Sequence, residues 1–210
     1  MKQIKPIYPA NLGWFEKKLS DEEMKRLWKY IDNRSVKSFK SQLVGHIHES
    51  NALIDEDDWF FKNTLTELIL MYTDEFSNMG KTLPTNQMHP YFLGSMWVNY
   101  QKQCEYNPIH NHTGVYSFVI WMKIPTRQKQ QDQIKFSSES NSQKNSTFEF
   151  IYTNLLGEVS NYTYKMDPEY EGTMLFFPSQ LKHQVYPFYN CDEDRISISG
   201  NILLNTKELL

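Results

Sequence analysis

Residues 172–188 read Gly172-Thr-Met-Leu-Phe-Phe-Pro-Ser-Gln-Leu-Lys-His-Gln-Val-Tyr-Pro-Phe188. Two short runs rich in aromatic and apolar side chains, residues 173–177 and 183–188, flank a loop that contains Pro178. Short runs of this kind, divided by Pro, Gly, Ser and Asn, are typical of β-strands joined by turns. The stretch therefore predicts a strand, a turn and a second strand.

The same pattern extends through most of the C-terminal half of the chain. We predict strands at residues 92–100, 115–124, 148–152, 159–165, 173–177, 183–188 and 196–204. Seven short strands in succession are typical of a sandwich or a jelly roll. The segment 126–147 interrupts them and is rich in Gln, Ser, Asn and Lys. We predict a mobile surface excursion there, with a lid or substrate-gripping loop as the alternative.

The N-terminal part has helical patterns instead. Ser20 is followed three residues later by Glu23, which is a capping box, and apolar residues at helical spacing follow up to Ile31. A second helix is predicted from residues 55–58 to about residue 76, with Gly80 as a stop. The predicted fold class is mainly β, with a jelly-roll core supported by two N-terminal helices. We expect one domain over 1–210, with a helical support region at 1–84 and the core at 85–210.

Composition limits the function classes. The net charge of −3 gives no support for the basic surface that nucleic-acid-binding proteins usually carry. No stretch reaches the ~18 apolar residues of a membrane span, and residues 1–14 contain no apolar signal core. Only two cysteines occur, Cys104 and Cys191, which favours a reducing compartment. We therefore expect a cytoplasmic protein that acts on a small molecule or a peptide.

Three histidines form a candidate metal site. His110 and His112 are separated by one residue, so on an extended strand both side chains point to the same face. His183, at the start of a later predicted strand, is the best third ligand, and a site with three protein ligands keeps coordination positions open. The alternative is that these histidines are ordinary polar groups at strand ends. His46 and His48 repeat the same spacing without strand signals around them.

A candidate anion-binding residue follows the third histidine. Arg195 opens the last predicted strand and shares a face with Ser197. The guanidinium offers a planar fork of donors that matches a carboxylate, and Ser197 can add a hydroxyl. In a jelly roll, successive strands cross to the opposing sheet, so Arg195 could face the metal. The alternative is a surface ion pair of Arg195 with the acidic residues 192–194.

Three motifs in order carry a family resemblance. They are His110-Asn-His-Thr-Gly-Val-Tyr-Ser-Phe-Val119, the stretch 172–187 quoted above, and Arg195-Ile-Ser-Ile-Ser-Gly-Asn201. Together they resemble the Fe(II)/2-oxoglutarate-dependent oxygenases, in particular the prolyl-4-hydroxylase-like branch with small bacterial and phage members. The resemblance covers roughly residues 92–205 and implies a double-stranded β-helix, the cupin-like form of the jelly roll.

The resemblance also implies a reaction and a set of roles. Fe(II) would be held by His110, His112 and His183, and 2-oxoglutarate would chelate the iron while its far carboxylate meets Arg195 and Ser197. O2 would oxidise 2-oxoglutarate to succinate and CO2, coupled to hydroxylation of an unknown substrate. Tyr100 resembles a tyrosine that hydrogen-bonds the co-substrate in this branch.

One position departs from the family pattern. The usual ligand set is two histidines and a carboxylate, with Asp or Glu where this chain has His112. Glu105 is too far upstream to substitute easily. Two alternatives therefore stay open: a three-histidine cupin-like metalloenzyme that does not use 2-oxoglutarate, and a non-enzymatic jelly-roll module that binds a partner through the segment 126–147.

Overall fold

The computed structural model describes residues 13–34 and 37–208. Its strands are β1 (Phe15–Lys18), β2 (Glu49–Ala52), β3 (Tyr91–Gln101), β4 (Asn107–His110), β5 (Tyr116–Lys123), β6 (Thr147–Thr153), β7 (Val159–Lys165), β8 (Thr173–Pro178), β9 (Lys182–Val185) and β10 (Arg195–Leu204). Its α-helices are α1 (Asp21–Asp32), α2 (Thr66–Glu75), α3 (Gln128–Asp132) and α4 (Lys135–Ser138). A π-helical turn, Phe61–Leu65, leads into α2, and short 3₁₀ turns occupy Lys40–Gln42, Glu56–Asp58, Met79–Thr82 and Pro168–Tyr170.

The strands form two antiparallel sheets. The six-stranded sheet has the order β1-β8-β5-β10-β3-β2, and the four-stranded sheet has the order β4-β9-β6-β7. Successive strands alternate between the sheets in two places: β4 lies in the second sheet between β3 and β5 of the first, and β9 lies in the second between β8 and β10 of the first. This crossing is the topology of a jelly roll, so the predicted mainly β fold class is confirmed.

The six-stranded sheet buries both of its faces. On β10, Ile196 and Ile198 pack into the cluster that also contains α1 and α2 residues, such as Leu27 and Tyr72. Side chains that point the other way from this sheet, such as Trp121, form a second cluster with residues of the four-stranded sheet. Because strand side chains alternate between faces, β5 and β8 contribute to both clusters. The space between the two sheets is also where the candidate site residues lie.

The capping box predicted at the start of α1 is confirmed. The Ser20 hydroxyl accepts a hydrogen bond from the Glu23 N–H, and the Glu23 carboxylate accepts one from the Ser20 N–H. Burial alone raises the pKa of Glu23, but hydrogen bonds from Thr64, Lys17 and Ser20 outweigh this effect and lower the pKa to about 2. The carboxylate therefore ties α1 to the turn before α2.

The predicted division at residue 84 does not separate helices from strands. Two strands of region 1–84, β1 and β2, form the edges of the six-stranded sheet, paired with β8 and β3. Residues 1–12 and 35–36 of that region lie outside the described residues. Strand β2 was not predicted, because Glu49-Ser-Asn-Ala has no apolar alternation. Strand β4 was not predicted, because it is only four residues long and contains Pro108.

The segment 126–147 packs on the body of the protein instead of forming a free excursion. It contains α3 and α4, and the side chains of Gln128, Gln131 and Ser137 are buried. The Gln131 amide accepts a hydrogen bond from the Tyr189 N–H and donates one to the Tyr189 carbonyl. The polar composition that favoured mobility supplies these bonds. In residues 13–34 and 37–208, no helix is long and apolar enough to cross a membrane.

Candidate metal centre

Two neighbouring strands bring His110 and His183 together. His110 on β4 lies directly opposite His183 on β9. Strand β4 ends at His110, so His112 does not share the strand as predicted; instead its N–H donates to the Ser179 carbonyl at 2.8 Å. Gly114, at φ +100°, then turns the chain into β5. The potential ligand atoms of the three histidines all lie within 4.8 Å of one another.

The ring orientations of two histidines are set by backbone carbonyls. His110 Nδ1 lies 2.8 Å from the Pro108 carbonyl oxygen, and His183 Nδ1 lies 3.0 Å from the Leu181 carbonyl oxygen. A carbonyl only accepts, so Nδ1 carries the proton in both rings and Nε2 keeps its lone pair. His112 Nε2 lies 3.1 Å from His183 Nε2. The nitrogens of these two rings therefore converge on one point.

Aromatic rings surround the three imidazoles. The rings of Phe148 and Phe177 have centroids 5.5 and 5.1 Å from that of His183, and the Trp97 ring lies 5.8 Å from His112. Burial lowers the pKa of His110, and burial with the nearby histidines lowers that of His112 to about 3 and that of His183 well below its usual value. All three are therefore neutral near pH 7, which is the form that binds a metal.

No carboxylate completes this group within the described part of the chain. Across residues 13–34 and 37–208, the three histidines are the only His, Cys, Asp and Glu side chains that cluster with metal-ligand spacing. Glu105 instead contacts His48 Nδ1 at 3.2 Å and the Lys102 N–H at 2.8 Å. The second histidine pair takes no part, since the His46 ring stacks on Tyr106.

Arg195 lies between the sheets, and the surface ion-pair alternative is wrong. Only 2% of the residue is exposed, and within the described ranges no Asp or Glu lies within ion-pair distance of it. Its Nη2 donates to the Ser146 hydroxyl at 2.5 Å, its Nη1 donates to Gln101 Oε1 at 3.4 Å, and the guanidinium lies 4.9 Å from the Phe188 ring centroid. Nε has no partner among those residues. Burial lowers the pKa of Arg195 to about 9, so it is still a cation at neutral pH.

One cavity joins these groups. Its lining includes His110, His112, His183, Arg195, Ser197 and Ser199. Among the described residues that line it, Arg195 is the only Lys, Arg, Asp or Glu. The cavity therefore contains three neutral nitrogen ligands and one buried cation with an orphaned N–H. This donor set fits a divalent metal and an anionic co-substrate.

The comparisons with known proteins agree with this arrangement. Residues 95–201 match the family model described as "Putative 2OG-Fe(II) oxygenase". The chain belongs to this family. The match covers about half of the chain and includes the three histidines, Arg195 and Ser197. No curated protein matches the chain.

Solved structures share the fold of this oxygenase at low sequence identity. A Pseudomonas putida prolyl-4-hydroxylase has a TM-score of 0.51 and 10% identity, covering 92% of this chain and 94% of its own. The collagen prolyl hydroxylase of Paramecium Bursaria Chlorella virus-1, solved with 2-oxoglutarate, has 0.51 and 13%, covering 90% and 94%. HygX from Streptomyces hygroscopicus, solved with nickel, 2-oxoglutarate and hygromycin B, has 0.51 and 8%, covering 93% and 84%.

The family settles the reaction class. The protein is an Fe(II)/2-oxoglutarate-dependent dioxygenase that uses Fe(II) as its metal and 2-oxoglutarate and O2 as co-substrates. It is an enzyme, so the non-enzymatic module and the metalloenzyme without 2-oxoglutarate are both set aside.

Tyr100 of the oxygenase does not face the cavity, which corrects the role expected for it. On β3, Trp97, Asn99 and Gln101 line the cavity, and alternation turns Tyr100 to the opposite face. There Tyr100 packs against the helix-side cluster, with the Arg34 guanidinium 5.2 Å from its ring. The resemblance placed the tyrosine on the correct strand but on the wrong face of that strand.

Four residues at the site were not predicted from the sequence: Trp97, Gln101, Ser146 and Phe188. Alternation along β3 could have identified the first two, because Trp97, Asn99 and Gln101 alternate with Met96, Val98 and Tyr100. Ser146 and Phe188 lie outside the predicted cavity-facing positions and carry no comparable signal. Only the tertiary structure brings them to Arg195.

Proposed function

We propose that His110, His112 and His183 hold the Fe(II), and that Arg195 together with Ser197 binds the distal carboxylate of 2-oxoglutarate. One observation carries this proposal: a fully buried guanidinium without a carboxylate partner, among the described residues, shares a cavity with three neutral imidazoles. A buried, uncompensated cation is costly to a fold. An anionic co-substrate offsets that cost, and the planar fork of N–H groups suits a carboxylate.

The charge balance of the site supports the same assignment. Three neutral imidazoles leave both positive charges of the metal uncompensated by the protein, and Arg195 adds a third. 2-Oxoglutarate carries two carboxylates, one for each end of the cavity. When bound, Fe(II) with 2-oxoglutarate and O2 supplies the oxidation of a substrate C–H bond, with release of succinate and CO2.

The protein's own residues prepare the site for this chemistry. The carbonyls of Pro108 and Leu181 hold the His110 and His183 rings with Nε2 free to bind. Trp97, Phe148 and Phe177 pack around the imidazoles, so charges beside these rings interact more strongly than they would in bulk water. The ligand geometry is therefore organised before the metal arrives.

We further propose that the enzyme is a hydroxylase whose substrate presents an uncharged group, in a small molecule or a peptide. The segment of residues 42–47 contributes Gln42, Leu43, Val44, Gly45 and Ile47 to the cavity, and Asn107 and Asn111 add amide groups. If Arg195 is occupied by 2-oxoglutarate, only neutral side chains are left to contact the substrate. The reducing environment expected from two free cysteines supports a cytoplasmic location. We also propose that the chain works as one domain, because β1 and β2 complete the core sheet.

Anaerobic titration of the full chain tests the proposal. Adding Fe(II) and then 2-oxoglutarate should produce the visible metal-to-ligand charge-transfer absorption of a chelated 2-oxo acid. Under air, succinate should form from 2-oxoglutarate only when iron is present. A protein that takes up no iron, or iron without 2-oxoglutarate-dependent absorption, contradicts the assignment of these residues.

A further inference from the structure

We infer that Ser146 is a positioning residue for the co-substrate: its hydroxyl holds the Arg195 guanidinium in the orientation that receives the distal carboxylate. This inference rests on the proposed function, in which Arg195 binds that carboxylate. It gives the polar segment 126–147 a role at the co-substrate end of the cavity. Ser146 lies at the end of this segment, immediately before β6.

The contacts of the Arg195 guanidinium leave Nε without a partner among the described residues. Nη2 donates to the Ser146 hydroxyl at 2.5 Å and Nη1 donates to Gln101 Oε1 at 3.4 Å. The Gln101 amide is itself oriented, because its Nε2 donates to the Glu105 carbonyl at 2.6 Å. Two of the three guanidinium nitrogens therefore have fixed neutral partners, while Nε has none among the described residues. Neither partner carries a charge, so neither competes with a carboxylate for the cation.

The backbone of Ser146 is in an unfavourable conformation that the surroundings maintain. Its φ of +58° is in the left-handed region, which is unfavourable for a non-glycine residue because its Cβ comes too close to the following carbonyl oxygen. Its N–H donates to the Pro187 carbonyl at 2.8 Å, and its carbonyl accepts from the Met166 N–H at 3.2 Å. Of the five described non-glycine residues with positive φ, Ser146 alone is buried. Retained strain at a buried position is typical of functional sites.

Glycine would suit this backbone better, so the hydroxyl is the feature that distinguishes serine here. The hydroxyl has two partners, the Arg195 guanidinium and the Thr126 hydroxyl at 3.2 Å. Thr126 lies at the other end of the same segment, so both ends of the segment meet beside Arg195. Between them, Gln131 bonds the backbone of Tyr189, next to the Phe188 ring that stacks on the guanidinium. The segment therefore packs against Arg195 at the co-substrate end without itself lining the cavity.

The variant Ser146→Gly tests the inference without disturbing the backbone. Losing a hydrogen bond to a charged group should weaken 2-oxoglutarate binding about tenfold. Binding is measured anaerobically on the Fe(II) protein from the charge-transfer absorption, and iron affinity is measured separately. Iron affinity should stay unchanged. The thermal unfolding midpoint should stay unchanged or rise, since glycine relieves the backbone strain. Ser137→Ala is the matched control, because this serine is buried in the same segment and its hydroxyl has no partner among the described residues.

Pyruvate separates a positioning role from a structural one. It has the same 2-oxo acid group as 2-oxoglutarate but no distal carboxylate, so Ser146→Gly should leave pyruvate binding unchanged. Equal weakening for both acids, a loss of iron affinity, or unchanged 2-oxoglutarate binding would each overturn the inference. If the unmodified enzyme binds the two acids equally well, Arg195 does not hold the distal carboxylate and the proposed function itself fails.

Discussion

The two ends of the cavity are built in opposite ways. At the histidine end, His110 and His183 are cross-strand neighbours, and His112 is only two residues from the first. At the arginine end, the partners of Arg195 come from three separate places: Gln101 on β3, Ser146 before β6, and Phe188 in the loop before β10. Each end contains one cross-strand pair, His110 with His183 and Gln101 with Arg195, but the arginine end adds contacts from Ser146 and Phe188, which lie outside the strands.

The electrostatics of the two ends also differ. Burial keeps the three imidazoles neutral, so that they offer lone pairs to a cation. Arg195 is more deeply buried than His110 and His112 but stays charged, because the guanidinium releases its proton only at high pH. The comparison teaches that the same protein interior can suit a metal at one end, where burial keeps the imidazoles neutral, and an anion at the other, where Arg195 has no carboxylate partner among the described residues. The following variants test whether the two ends act independently.

The largest effect is expected for His110→Ala. If His110 is a direct ligand, as proposed, its removal should weaken Fe(II) binding beyond the ~100-fold upper range seen for residues that only support a ligand, and turnover should be undetectable. Anaerobic iron titration measures the affinity. His46→Ala is the control, since its ring stacks on Tyr106 outside the cluster. A variant that still binds one equivalent of iron tightly would remove His110 from the ligand set.

The variant Arg195→Met should affect only the arginine end of the cavity. We expect 2-oxoglutarate affinity to fall about 100-fold while Fe(II) affinity is retained, because the buried cation is lost but the imidazoles are not changed. Without ligands, the thermal unfolding midpoint should be equal or higher, since an uncompensated buried charge has been replaced by an apolar side chain of similar length. Calorimetry of unfolding with and without 2-oxoglutarate measures both effects. A lower midpoint without any change in 2-oxoglutarate affinity would contradict this account of Arg195.

Variants at position 112 test whether His112 belongs to the metal end of the cavity. His112→Ala should weaken Fe(II) binding, whereas His112→Asp should retain it, because aspartate is a ligand that the family usually has at this position. We expect a difference of at least about tenfold in iron affinity between these variants. Equal affinities of both variants and the unmodified enzyme would mean that His112 does not bind the metal.

The smallest effect is expected for Phe188→Leu. The ring lies 4.9 Å from the guanidinium carbon, and loss of this cation–π contact should weaken 2-oxoglutarate binding about threefold without changing iron affinity. Phe60→Leu is the matched control, because Phe60 is equally buried but packs in the helix-side cluster. If both variants weaken 2-oxoglutarate binding alike, the effect comes from general loss of packing and not from the ring beside Arg195.

Local chemistry made much of the fold predictable. The strands from β5 to β10 follow the aromatic and branched runs, and α1 begins at its predicted capping box. Strands β1, β2 and β4 could not be predicted, because each is four residues long and, unlike β9, does not belong to an aromatic or branched run. Tyr100 was assigned to the wrong face because a resemblance gives a position in a motif but not the direction of a side chain.

The sequence by itself determined the jelly-roll class, the three histidines and the arginine, since strand periodicity and residue chemistry are local properties. The tertiary structure decided that these residues share one cavity, that Arg195 has no ion-pair partner among the described residues, and that Ser146 and Phe188 contact it. Those facts depend on which strands cross between sheets and on how the segment 126–147 packs. The contact between Ser146 and Arg195 joins residues 49 positions apart, and no local pattern in the chain encodes it.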